Sequence, residues 1–124
     1  MNQEIKAKWV SALRSGKYRQ AKERLQSDSG GFCCLGVLCD LYIKEHPSLA
    51  EWHFNPDYTY GSISIKSSGT FEHIYLPSDV ANWAGFPASG DVIVSHDHED
   101  TGLSELNDEG MSFADIAALI EEQL

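Results

Sequence analysis

Positive charge is scarce over most of this sequence. After residue 26 it contains two Lys/Arg against seventeen Asp/Glu, and from Asp91 to the C-terminus it has ten Asp/Glu and no Lys or Arg. Residues 1–26 hold the other seven Lys/Arg with two Asp/Glu, a local balance of +5. The net charge of −10 disfavours non-specific binding to DNA or to anionic lipid. The cationic start and the acidic remainder are two candidate surfaces for charged partners, unless they pair with each other.

Long apolar runs and paired cysteines are also missing. No apolar run approaches the roughly 20 residues that span a membrane, and the first residues do not resemble a signal peptide. Cys33, Cys34 and Cys39 are three cysteines within seven residues, which is not the framework of a disulfide-rich secreted protein. We therefore expect a reduced, cytoplasmic protein without a membrane partner.

Length and patterning predict one domain of the α+β class. A chain of 124 residues with 42% hydrophobic residues can bury one core, so residues 1–124 are expected to form a single globular domain. Apolar residues at helical spacing predict helices over residues 3–14, 17–26 and 32–45, and a final helix capped by Ser112. A strand over residues 32–38 is the alternative to the third helix.

The middle of the chain is predicted to form a small sheet. Alternating residues predict strands over residues 62–66 and 91–95, with residues 71–75 pairing back on the first as a hairpin. A short helix is expected over residues 77–84, and residues 51–61 are expected to be irregular. The resulting fold is N-terminal helices and a C-terminal helix packed on a small antiparallel sheet.

Several strings of the sequence carry a family resemblance. They are WVSALRSGKY at residues 9–18, FCCLGVLCDL at 32–41, LSELNDEG at 103–110 and SFADIA at 112–117. They resemble a family of small proteins found in tailed bacteriophages and prophages, and the resemblance spans nearly the whole chain. It implies a phage accessory protein in the host cytoplasm and brings no catalytic residues with it. Small phage accessory proteins often antagonise host defence, which is an association and not a mechanism.

Three cations and an aromatic ring flank Gly16. They are Arg14, Lys17, Tyr18 and Arg19. Arginine binds phosphate through two hydrogen bonds and tyrosine can stack on a base, so this cluster is a candidate site for a phosphorylated small molecule. The alternative is a solvated corner whose charges pair with the acidic C-terminal third.

Asn107 and Asp108 are further candidate ligand residues, because they lie within one of the family strings. Asn-Asp next to Gly110 is also typical of a turn or a helix end, and this structural use is favoured.

The cysteines allow an enzymatic alternative. Cys33 or Cys34 follows Gly30-Gly31 and could act as the nucleophile of a hydrolase with a downstream histidine as base. The surrounding apolar residues favour core packing instead.

Two other clusters have open interpretations. Residues 96–100, with two histidines and three carboxylates, could hold a divalent cation, but an exposed polar loop is favoured, and we expect neither metal nor cofactor. The aromatic residues Trp52, Phe54, Tyr58 and Tyr60 either line a partner surface or cover the core.

The hypothesis that combines these features is a non-enzymatic phage accessory protein that counters host defence. In one version it sequesters a nucleotide signal, a phosphorylated small molecule, at the interface of a homo-oligomer. In the other version it binds a host defence protein, with the acidic surface from Asp91 to Glu122 as the contact.

Overall fold

The computed structural model describes residues 1–54 and 56–124. The helices among these residues are α1 (Gln3–Arg14), α2 (Cys34–Glu45), α3 (Ser78–Ala84), α4 (Leu103–Asp108) and α5 (Phe113–Gln123). The strands are β1 (Gln26–Ser27), β2 (Ala50–Phe54), β3 (Tyr60–Ile65), β4 (Thr70–Glu72), β5 (Ile93–His96) and β6 (Glu99–Gly102). All strand pairs between these elements are antiparallel, and the predicted α+β class is confirmed.

Strand β3 is the centre of the larger sheet. It pairs with β2 along one edge and with β1 and β4 along the other. Gly61, Ile63 and Ile65 are buried, so the alternation of a strand turns Tyr60, Ser62 and Ser64 to the opposite side. The hairpin predicted from residues 62–66 and 71–75 is therefore confirmed, with Phe71 opposite Ser64.

Strands β5 and β6 form a separate hairpin. Its two turn residues, Asp97 and His98, both have positive φ, as tight two-residue hairpin turns require. This turn replaces the polar loop expected over residues 96–100.

Helix α1 packs on α5, the helix at the other end of the chain, and on α2. The apolar stripe of α1 predicted by its spacing is buried, and Trp9 is completely inaccessible to solvent. The Trp9 indole Nε1 donates to the Cys34 carbonyl oxygen at 3.0 Å, which joins α1 to the start of α2. Ser112 caps α5 as predicted, its hydroxyl oxygen accepting from the Asp115 amide at 3.1 Å.

Gly36 lets α2 cross the backbone of Leu25. A Cβ atom at position 36 would overlap the carbonyl group of Leu25, so no larger residue fits without moving the backbone. Because α2 starts at Cys34 and is continuous to Glu45, the strand alternative for residues 32–38 is wrong.

The second N-terminal helix, predicted over residues 17–26, is wrong. This segment is irregular and ends in β1, and Glu23 has a φ of +72°, which is outside the helical region. Its backbone amides form hydrogen bonds to residues outside the segment. The Ala21 amide donates to the Phe32 carbonyl at 2.8 Å, and the Leu25 amide donates to the His73 carbonyl at 2.7 Å. These long-range bonds outweigh the local apolar spacing.

Residues 51–61 are more regular than predicted. Residues 51–54 belong to β2, where Trp52 lies opposite Ile63 on the buried side of β3. Pairing with β3 gives these residues a ladder that their own sequence does not suggest.

Candidate functional site

The two arginines of the predicted anion cluster point to different places. Arg14 Nη1 donates to Glu121 Oε2 at 2.9 Å, across the contact between α1 and α5. Arg19 Nη2 donates to the carbonyl oxygen of Ser29 in the loop before α2. The predicted convergence of Arg14 and Arg19 on one ligand is therefore not found.

Lys17 and Tyr18 do lie together, and two lysines from other elements join them. Lys8 of α1 and Lys44 of α2 line the same groove of about 500 Å³. The Tyr18 hydroxyl donates to Asp40 Oδ2 at 2.5 Å and accepts from Lys44 Nζ at 3.1 Å. Burial, followed by the bond to Asp40, raises the pKa of Tyr18, so this hydroxyl stays protonated.

A second groove runs along the other side of α1. It measures about 380 Å³, is lined by Lys6, Arg14 and Glu121, and shares Ala7 and Ser11 with the first groove. We call the cations along these two grooves the basic surface: Lys6, Lys8, Arg14, Lys17 and Lys44.

Three members of the basic surface already have carboxylate partners. Lys8 pairs with Glu45 at 2.5 Å, Lys44 with Asp40 at 3.1 Å and Arg14 with Glu121. In contrast, Lys6 and Lys17 take part in no ion pair within residues 1–54 and 56–124. The Lys8–Glu45 and Arg14–Glu121 pairs are exposed and therefore weak, so Lys8 and Arg14 can exchange partners at low cost.

Asn107 is fully buried and holds three parts of the chain together. Its Oδ1 accepts from Gln20 Nε2 at 3.0 Å and from the Cys34 amide at 3.2 Å, while its Nδ2 donates to the Ala21 carbonyl at 2.8 Å. Asp108 Oδ1 accepts from the Glu23 amide at 2.8 Å. Both candidate ligand residues are thus used to fix the irregular segment before β1.

The three cysteines lie in the core. Cys33 is 2% exposed, and Cys34 and Cys39 are inaccessible. Burial raises the pKa of the Cys33 thiol to about 11 and raises the pKa values of the other two thiols as well. A cysteine nucleophile requires exposure and a lowered pKa, so these thiols lack both properties.

The outward side of the larger sheet carries a cluster that the sequence only partly indicated. We call it the aromatic face: His53, Tyr58, Tyr60, Phe71 and His73, arranged around Ser62 in a groove of about 390 Å³. Tyr58 and Tyr60 belong to the aromatic run singled out in the sequence, whereas Trp52 of that run points inward and donates to Asp40 Oδ1 at 3.0 Å. The strand alternation of β3, combined with its pairing to β2 and β4, is the signal that locates the other rings.

Residues 1–54 and 56–124 contain neither a metal-binding cluster nor a membrane-spanning helix. Within these ranges no group of three or more His, Cys, Asp or Glu side chains is placed to hold a metal ion. Likewise, no helix in the part of the chain that the structure describes is long and apolar enough to span a bilayer.

A protein family matches the chain over its whole length. Residues 1–124 match the family described as a domain of unknown function (DUF8296). The chain belongs to this family. No curated protein and no solved structure matches it. The description of the family names no ligand or reaction, so a functional proposal has to rest on the geometry of the chain itself.

Proposed function

We propose that this protein is a non-enzymatic accessory protein that binds an acidic partner protein through the basic surface. The observation that carries the proposal is the pair of grooves along α1, which share Ala7 and Ser11 and are flanked by the cations of the basic surface. In the bacteriophage setting that the sequence resemblance suggests, the partner is a host defence protein.

The shape of this region suits a protein more than a small molecule. Ala7 and Ser11 are small and exposed, so a partner's side chains can approach the backbone of α1 between the long cationic side chains. Both grooves are open to solvent along the helix. A sequestered small ligand needs a site that encloses most of its surface, whereas a protein interface of about 800 Å² per partner can cover both grooves together.

The charge distribution determines which side of the protein an acidic partner approaches. The whole chain has a net charge of −10, so an acidic partner is repelled by most of the molecule and attracted at the basic surface. Lys6 and Lys17, which form no ion pair within the described ranges, are available for the carboxylates of the partner without breaking an ion pair.

The test uses the protein immobilised on a resin and a lysate of the bacterial host at low salt. A retained protein is identified by mass spectrometry, purified and titrated by calorimetry. We expect the double variant Lys6→Glu/Lys17→Glu to raise Kd at least about tenfold, because attraction becomes repulsion. Lys66→Glu is the matched control, since Lys66 is an exposed lysine on the turn after β3 and should leave Kd unchanged.

Two results would contradict the proposal. If no protein is retained, or if the purified partner binds the double variant as tightly as the native protein, the basic surface is not the contact. If Glu109→Lys weakens binding instead, the acidic surface predicted from the sequence is the contact.

A further inference from the structure

The aromatic face places large rings on the side of the sheet that is turned away from the core. Solvent-facing positions of an antiparallel strand are ordinarily polar, as Ser62 and Ser64 are in β3. Here Tyr58 is 54% exposed and Phe71 is 55% exposed. Exposed apolar rings that adjoin one another are typical of an interaction site rather than of a solvated surface.

Three of the rings form a column. Tyr58 and Tyr60 stack with centroids 5.4 Å apart and planes at 6°, and Tyr60 and His73 stack at 4.7 Å and 19°. Tyr60 is the ring that contacts both of the others, and Tyr58 is the exposed ring of the three. Another planar ring can extend the column at that end with the same offset stacking geometry.

A second pair of rings forms the opposite wall. His53 of β2 and Phe71 of β4 meet edge to face, with centroids 5.5 Å apart and planes at 77°. Between the two walls the groove has the small side chain of Ser62 as its floor. Because the rings stand on paired strands or beside them, their spacing is set before any ligand arrives.

A cation lies beside the column. The guanidinium carbon of Arg24 is 4.7 Å from the centroid of the Tyr60 ring, and its Nη1 donates to the Glu23 carbonyl at 3.1 Å. That bond uses one of the five N–H donors of the guanidinium, and within residues 1–54 and 56–124 the Arg24 side chain forms no other hydrogen bond and no ion pair. Arginine with a planar fork of donors is suited to phosphate oxygens.

We propose that the aromatic face binds a single nucleotide, whose base extends the ring column and whose phosphate pairs with Arg24. The groove of about 390 Å³ falls within the range of small-ligand sites and is large enough for one nucleotide. The net charge of −10 opposes a long polyanion but is compatible with one phosphate beside one arginine. This site is independent of the proposed function, because none of its residues belongs to the basic surface.

The chemistry of the groove favours a base over a sugar. Among the described residues, the lining has imidazole, phenol and hydroxyl groups and no carboxylate or amide, the side chains that bond to pairs of sugar hydroxyls. A nucleobase needs only ring faces for stacking, which every base offers in the same way. Binding is therefore expected to be tolerant of base identity and to depend on the rings and on the phosphate.

Calorimetric titration at low salt tests this proposal with AMP, adenosine and inorganic phosphate. We expect AMP to bind about tenfold more tightly than adenosine, and phosphate alone to bind more weakly than either. Tyr58→Ala should weaken the binding of AMP about tenfold or more, because the substitution removes the exposed end of the column. Tyr75→Ala is the matched control, since Tyr75 is another exposed tyrosine outside the groove and should leave AMP binding unchanged.

Arg24→Gln tests the phosphate contact separately. This variant should lower the affinity for AMP to that for adenosine and leave the affinity for adenosine unchanged. Circular dichroism and the thermal midpoint of each variant show that the sheet is retained.

Several outcomes would overturn the proposal. They are an absence of AMP binding at millimolar concentration, and equal losses of affinity in the Tyr58 and Tyr75 variants. Binding of a ten-residue oligodeoxythymidylate or of maltohexaose without AMP binding would also overturn it, and would assign the face to single-stranded nucleic acid or to a sugar. These results are separate from the Lys6/Lys17 test, which concerns another surface.

Discussion

A single buried thiol illustrates how position in the fold changes the chemistry of a residue. Cys33 follows two glycines, a context that suggested a helix N-terminus with a reactive thiol. In the structure it is 2% exposed, and desolvation raises its pKa from 9.0 to about 11. The carboxylates of Asp108 and Asp91 add to the shift in the same direction.

This shift predicts a loss of stability at alkaline pH. Between pH 9 and pH 11 the unfolded chain releases the Cys33 proton while the folded chain keeps it, so unfolding becomes more favourable as the pH rises. The stability is fully present below pH 9, and about 2 kcal/mol should be lost between pH 8 and pH 10.5.

Urea unfolding under reducing conditions at several pH values measures this loss. Cys33→Ala is the control, because it retains every other titrating group and should lose less stability over the same range. Equal losses in the two proteins would show that Cys33 does not have the raised pKa.

At the scale of elements, Asn107 is a side chain of α4 that ties this helix to distant parts of the chain. Asn107 bonds to the Cys34 amide at the start of α2 and to Gln20 and Ala21 in the irregular segment. Because these partners are distant in sequence, the bond set fixes how three pieces of chain meet. The string LND around it therefore has a structural reason of its own.

Asn107→Ala should lower the free energy of unfolding by about 2–4 kcal/mol, since it leaves a buried amide and a buried carbonyl without partners. Urea unfolding measures the change. Glu109→Ala is the control, because Glu109 is exposed at the end of the same helix and should change stability by less than about 0.5 kcal/mol. Similar losses in both variants would mean that the bond set is not what stabilises this junction.

At the scale of the whole molecule, repulsion between negative charges outweighs the attraction within the exposed ion pairs. The Lys8–Glu45 and Arg14–Glu121 ion pairs join partly exposed side chains and so contribute little, whereas the excess of negative charge, −10 in total, causes repulsion over the whole surface. Repulsion spread over the surface is screened by salt more completely than contacts between buried groups.

Raising NaCl from 20 mM to 500 mM should therefore raise Tm by roughly 3–5 °C, as measured by calorimetry. A variant with Asp97→Asn, Glu99→Gln and Asp100→Asn removes three exposed charges of the β5–β6 hairpin and should show a smaller rise. A fall in Tm with salt would mean that attraction between the two charged regions outweighs the repulsion.

The elements that sequence patterning predicted correctly are those stabilised by local periodicity. α1 and α5 each bury one apolar stripe, and the β3–β4 hairpin follows from alternation and a short turn. The helix predicted over residues 17–26 does not form, because backbone amides of this segment donate to the carbonyl oxygens of Phe32 and His73. These partners lie outside the stretch of sequence from which a helix is predicted. The predicted convergence of Arg14 and Arg19 is missing for the same reason. These residues are close in sequence, but they bond to Glu121 and Ser29, which lie in different parts of the fold.

The amino-acid sequence by itself determined the α+β class, the ends of most helices and the separation of positive from negative charge, because these depend on spacing and composition. Only the tertiary structure decided which side chains meet. It buried Asn107 and the thiols, brought Lys44 and Lys17 to the same groove, and assembled rings on and beside β2, β3 and β4 into one face. The physical reason is that pairing and packing between distant segments set these positions, and a pattern along the chain does not contain that information.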